Sequence, residues 1–207
     1  MIEYGITSRD YLTRAEARLE ENTPEGLFYA ALELRFGIEA RMQEYLEAQE
    51  DVSKKKKAGW QIAKLGKDIE HIFKLGDKVA EFTIMDKDTG SVIETLYYTP
   101  VTSSLRKHGE RLGDLLHSLR THAQLNDQWW TKTRATLEDT LKGLKRATTG
   151  TLLGVPLMKK ATGQLSMNIE VLKGEDSASK RDRIGRTGVQ LTLRVQYLND
   201  LPRSADV

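Results

Sequence analysis

The spacing of apolar positions changes along the chain from helical to strand-like and back, and each change marks an element. Leu12, Ala15 and Leu19 recur three and four residues apart behind Thr7 and Ser8, which predicts an amphipathic helix over 9–21. Asn22-Thr23-Pro24-Glu25 supplies a second start. Thr23 can cap, Pro24 suits the first helical position, and Glu25 favours the positive end of the helix dipole. Leu27, Ala31, Leu34, Ile38, Met42 and Tyr45 then make one continuous stripe, so a long helix is expected to about Ala48. The stripe lapses at 51–57, where Lys54, Lys55, Lys56 and Lys57 form a solvated loop or the first turn of the next helix. Trp60, Ala63, Ile69, Ile72 and Phe73 fit a third helix.

From Glu81 the period becomes two. Phe82 and Ile84 alternate with polar residues, 86–90 offers turn chemistry, and 92–98 is rich in strand formers, together a β-hairpin over 81–98. Thr102-Ser103-Ser104 opens a fourth helix with Leu105, Leu112, Leu115, Leu116 and Leu119 on its buried side, expected to end near His122. Asn126 or Asp127 caps a fifth, on which Trp130, Leu137, Leu141 and Leu144 form a stripe ending by about Ala147. After Gly150 the helical stripe is lost. Alternation at 165–171 and 189–197 predicts two strands, with Met167, Ile169, Leu191, Leu193 and Val195 buried. The reading is a mainly α, α+β protein. An N-terminal helical bundle with an inserted hairpin occupies 1–149, and a C-terminal antiparallel β segment occupies 150–207. The hairpin and the C-terminal strands can join in one antiparallel sheet.

Composition narrows the class. The chain has 207 residues, 39% of them hydrophobic and 30% charged, with only 4 Pro, which fits a soluble globular protein and excludes collagen-like and wholly disordered ones. No cysteine is present, so disulfides, thiolate metal sites and cysteine nucleophiles are excluded and a reducing, cytoplasmic setting is the expectation. No long apolar run or leader-like N-terminus is present, so no membrane partner is expected. The overall charge of +2 hides an asymmetry: residues 1–50 hold five arginines, no lysine and eleven acids, a net of −6, which leaves +8 for the rest. That basic remainder suits a polyanion, or an acidic neighbour within the same molecule.

The four histidines show no zinc-hydrolase spacing, and neither a phosphate-binding Gly-rich loop nor a nucleophile elbow occurs; no metal and no cofactor is expected. What remains is the fourth helix, where Arg106 to His117 contains seven titratable residues. On an ideal helix His117 lies about 20° from Glu110 and about 60° from Asp114, so both carboxylates can share its face. Arg111 lies about 120° around and about 9 Å along the axis from His117. Two copies related by a dimer axis would therefore bring both residue types into one cleft suited to an anionic phosphodiester.

A long-helix bundle carrying Arg-x(4–6)-His, which 111–117 satisfies, resembles the HEPN superfamily of defence and toxin proteins, over about 7–147. The long second helix, Tyr29 to Arg41, is similar to the early long helix of such domains. The chain departs from the family in placing Leu112 after the arginine, where a polar residue is common, and in adding β elements. The resemblance implies a dimeric, metal-independent endoribonuclease or toxin, with Arg111 as phosphate binder, His117 as general acid or base and Asp114 biasing the histidine. Inactive relatives suggest the alternative of a non-catalytic subunit or interaction module in a larger defence-related assembly, docked through its C-terminal strands. A third reading is a nucleic-acid-binding protein. It would use Lys54, Lys55, Lys56 and Lys57 with Lys180, Arg181, Arg183 and Arg186 of the 173–188 loop to contact phosphates. The expected partners are thus a second copy or a hetero-complex, and RNA.

Overall fold

The computed structural model describes residues 4–50, 52–117, 127–155, 157–158, 165–170 and 190–202. Among them are six helices and five strands: α1 (Ser8–Glu20), α2 (Pro24–Glu47), α3 (Lys54–Lys57), α4 (Ile62–Phe73), β1 (Val79–Asp86), β2 (Val92–Tyr98), α5 (Ser103–Leu116), α6 (Asp127–Thr149), β3 (Leu157–Met158), β4 (Leu165–Ser166) and β5 (Leu191–Leu198). The mainly α, α+β class holds. Two compact units divide the chain, one of Met1–Gly76 with Val101–Thr148, the other of Asp77–Pro100 with Thr149–Val207, so the hairpin shares a unit with the C-terminal segment. Among the described residues no helix is long and apolar enough to cross a membrane.

In the helical unit the capping chemistry fixes the first two helices. Thr7 accepts from the Asp10 N–H while the Asp10 carboxylate accepts from the Thr7 N–H, and Thr23 accepts from Gly26 N–H ahead of Pro24. α2 is the hub. Its stripe from Leu27 to Tyr45 is buried throughout, packed against α1, α4 and α5. Close approach needs small residues: a Cβ on Gly109 of α5 would crowd Ile62 and Ile38, and one on Gly37 of α2 would overlap Leu144 of α6.

The stripe also carries a charge. Arg41 is fully buried, and its Nε donates to Tyr45 Oη and to the Ala147 carbonyl, both at 3.0 Å. A guanidinium NH of Arg41 donates to Glu44 Oε2 at 3.0 Å, and Glu44 in turn accepts from the Ser8 amide at 2.7 Å and hydroxyl at 2.8 Å. One ion pair thereby ties the start of α1 and the end of α6 to α2, and it satisfies polar groups that burial would otherwise penalise.

Three features correct the sequence expectations in this unit. Trp60 lies outside α4 and is 62% exposed, because the helix begins only after Gln61. The lysine run forms a single helical turn of its own, α3. The fourth helix stops at Leu116 and not near His122: Leu115 and Leu116 are only half-buried, so packing gives little support to a further turn. Residues 118–126 lie outside the described residues.

The second unit is built on a three-stranded antiparallel sheet in the order β2-β1-β5. The hairpin turn is held by Asp86, whose Oδ1 accepts from the amides of Asp88 and Thr89, with Gly90 at φ 70°. These amides, Thr89 first and then Asp88, keep its carboxyl below the ordinary range. Directly paired residues share a face, so Phe82, Leu96 and Val195 stand together, as do Ile84, Glu94 and Leu193.

The C-terminal alternation is therefore a strand, but not a buried one. Leu193 is 46% and Tyr197 55% exposed, and Leu191 and Val195 are exposed as well, whereas β2, the other edge strand, buries Leu96 and Tyr98. Alternation reports two unlike faces and does not report what covers the apolar one. The stretch expected as a strand over 165–171 holds only the short β4, paired with β3, and an isolated bridge from Ile169 to Leu152; Met167 and Ile169 are half-buried.

Candidate functional site

Helices α5 and α6 form a cleft of about 280 Å³ within the helical unit. Arg111, Leu112, Asp114 and Leu115 line it from α5, and Trp129, Thr133, Thr136 and Leu137 from α6. The spacing explains the grouping: the α6 residues fall at i, i+4, i+7 and i+8, one helical face, while Arg111 and Asp114 are neighbours at i, i+3. Leu112 and Leu137 are buried and make the floor, and Arg111 and Asp114 are exposed at the rim.

Trp129 forms one wall. It is half-buried and held edge-to-face by Trp130, with ring centroids 4.7 Å apart, while Phe28 of α2 packs on both indoles at 6.4 and 6.0 Å. Trp130, expected in the core, is likewise half-buried, at the margin of the stripe that Leu137 and Leu144 continue inside. A fixed indole beside an arginine offers a stacking surface and a cation to the same ligand.

Among the described residues, no hydrogen bond or ion pair joins Arg111, Asp114 and His117 to one another. His117 is the exposed C-cap of α5. Its N–H still donates to the Gly113 carbonyl at 3.1 Å, so its backbone remains anchored to the last turn, while its own ψ of 149° is extended and not helical. It does not line the cleft. The structure thus brings Arg111 and Asp114 into one cleft, with His117 beyond the end of the same helix. His108 instead faces inward, half-buried, with Nδ1 3.3 Å from Thr140 Oγ1.

The sequence-predicted phosphate contacts divide. Lys56 pairs with Asp68 at 3.4 Å and Lys57 with Glu47 at 3.6 Å, whereas Lys54 and Lys55 are exposed and lack an ion pair among the described residues. Lys180, Arg181, Arg183 and Arg186 lie outside the described residues, as does the whole 173–188 loop. Sequence reasoning did not identify Trp129, Thr133 and Thr136 as cleft residues. Their spacing on α6 was legible, but the pairing of that face with Arg111 depends on tertiary packing. Among the described residues, no group of three or more His, Asp or Glu is placed to hold a metal ion. In comparisons with known proteins, no family model, no curated protein and no solved structure matches the chain.

Proposed function

We propose that the helical unit acts on RNA as an HEPN-like, metal-independent endoribonuclease, with the α5–α6 cleft as its phosphodiester site. The observation that carries this reading is an arginine without an ionic partner among the described residues, at the rim of a cleft walled by a fixed tryptophan. Arg111 neutralises the phosphate and its developing negative charge, and Trp129 stacks on an adjoining base. His117 takes the proton from the ribose 2′-hydroxyl; the oxygen attacks phosphorus, the P–O5′ bond breaks, and the 5′-oxygen leaves with a proton taken from water, after which His117 returns its own proton to the solvent. The products are a 2′,3′-cyclic phosphate and a 5′-hydroxyl. Because Arg111 and His117 lie about 9 Å apart along one helix, the reading requires a second copy to bring Arg111 of one chain to His117 of the other.

The test uses single-stranded, hairpin and transfer RNA in excess chelator. Cleavage leaving cyclic phosphate ends is expected, with His117→Ala and Arg111→Ala each slowing it by roughly a hundredfold or more and Asp114→Asn by less. RNA that stays intact, or variants as active as the parent, overturns the reading. A second reading, a non-catalytic subunit that docks a partner strand, is favoured by the exposed apolar row of β5. It is the one to adopt if RNA is neither cut nor bound and a partner protein protects β5 amides from hydrogen exchange.

A further inference from the structure

A second concavity of the helical unit, about 640 Å³, lies on the α4–α5 face. The two helices run antiparallel there, since Ile62 meets Gly109 and the Arg106 guanidinium donates to the Gly66 carbonyl at 3.2 Å. Gly66, Lys67, Glu70 and His71 form one stripe on α4, followed by Lys74 at its left-handed C-cap, and Ser103, Arg106, Lys107 and Glu110 form the facing stripe on α5.

Four lysines of the chain pair with carboxylates among the described residues: Lys56 with Asp68, Lys57 with Glu47, Lys145 with Glu16 and Lys142 with Asp139. Lys67, Lys74 and Lys107 are exposed and have no such partner among the described residues. Of the two carboxylates present, Glu70 is turned to the end of α4, where it accepts from the Gly76 N–H at 3.2 Å, and Glu110 lies at the far end, beside Ala63. The N-terminus of α5 opens on the groove through Ser103, and its first turn carries no acidic residue to offset the positive end of the dipole. Four cations, Lys67, Lys74, Arg106 and Lys107, against two carboxylates leave the groove a net positive lining that a polyanion complements.

We propose that the α4–α5 groove binds the phosphate backbone of a single-stranded nucleic acid. Lys67 and Lys74 are about 10 Å apart along α4, with Lys107 and Arg106 opposite, a row long enough for successive phosphates. Trp60, 62% exposed, immediately precedes the N-cap of α4 at the Ala63 end and supplies an aromatic surface for a base. A membrane surface is disfavoured, because the groove is concave and no large exposed apolar side chain lines it. The inference rests on the reading of the helical unit as one that engages RNA, and assigns it a strand-holding surface on a different face of α5 from the cleft.

Anisotropy of fluorescein-labelled U12 RNA and dT12 DNA, the latter without the 2′-hydroxyl that cleavage needs, tests binding apart from chemistry. The whole chain should bind both, with log Kd changing against log salt by a slope of about 3, the value for four cations on a single strand. The triple variant Lys67→Gln, Lys74→Gln, Lys107→Gln should bind at least tenfold more weakly with a slope of about 0.7, that of the remaining Arg106, and Trp60→Ala several-fold more weakly with the slope unchanged. A triple variant that binds like the parent, or a parent that binds vesicles of phosphatidylserine and phosphatidylcholine but neither oligonucleotide, overturns the proposal, as does binding to none of the probes. Binding through the groove without cleavage of RNA would leave the groove standing and overturn the ribonuclease reading. Cleavage that the triple variant leaves untouched would do the reverse.

Discussion

Glu44→Ala is expected to lower the stability of the helical unit by about 3 kcal/mol, toward the lower end of the range for breaking a buried pair. The reason is what stays behind. Arg41 is fully buried, and without Glu44 it loses that carboxylate and is left with such partners as Tyr45 and the Ala147 carbonyl, which are neutral. The Ser8 amide and hydroxyl at the start of α1 lose their acceptor at the same time. The lower end applies because the Glu44 side chain is itself 22% exposed, so water takes over part of the lost interaction. Glu44→Gln retains an acceptor oxygen for Ser8 and should cost less than Glu44→Ala. Urea unfolding of the three proteins checks the order through the midpoints, with the slope unchanged if the native state keeps its compactness. A loss below about 1 kcal/mol for Glu44→Ala would show that the pair contributes as an exposed one does.

Phe82→Ala should cost about 3–5 kcal/mol, while Leu193→Asp, on the same face of the same sheet, should change stability by no more than about 0.5 kcal/mol. Phe82 is fully buried on the central strand, so truncation removes its transfer energy and opens a cavity that the neighbours fill only in part. Leu193 pairs with Ile84, but its side chain is 46% exposed on an edge strand and a carboxylate there keeps its water. Thermal unfolding of the two variants beside the parent decides the matter. Comparable losses would mean that the apolar row of β5 is covered in solution, and the variant to follow would then be Leu193→Asp under conditions that dissociate any assembly.

Much of this fold was legible because it depends on neighbours in sequence. The stripe from Leu27 to Tyr45, the caps at Thr7 and Thr23 and the turn chemistry at Asp86 to Gly90 are local patterns, and each produced the element it implied. What escaped depends on distant partners. Nothing local marks Arg41 as a core residue, since the carbonyl that receives it belongs to Ala147, 106 positions away. The end of α5 depends on how deeply Leu115 and Leu116 pack, which periodicity does not state. At the candidate site, Arg111 and Asp114 were singled out from their own helix, whereas the placing of Trp129 beside them follows only from the packing of α6. The lysines of the α4–α5 groove are an ordinary solvated face on each helix alone, and their convergence exists only once the helices are side by side.

The order of strands in the sheet has a consequence for how the chain is made. β1 is central, yet its partner on one side, β5, is encoded about 100 residues after it, with Asp86 matched to Leu191. At about 5–20 residues per second of synthesis, the β1–β2 hairpin waits on the order of 5–20 s before its third strand exists. Throughout that interval the outer backbone edge of β1 is open beside Phe82 and Ile84, which are buried once the sheet is complete. Glu81 and Asp86, the two charges of β1, are of the kind that discourages a nascent edge from pairing with the wrong chain, a role that precedes their bonds to Tyr97 and to the turn amides in the finished sheet.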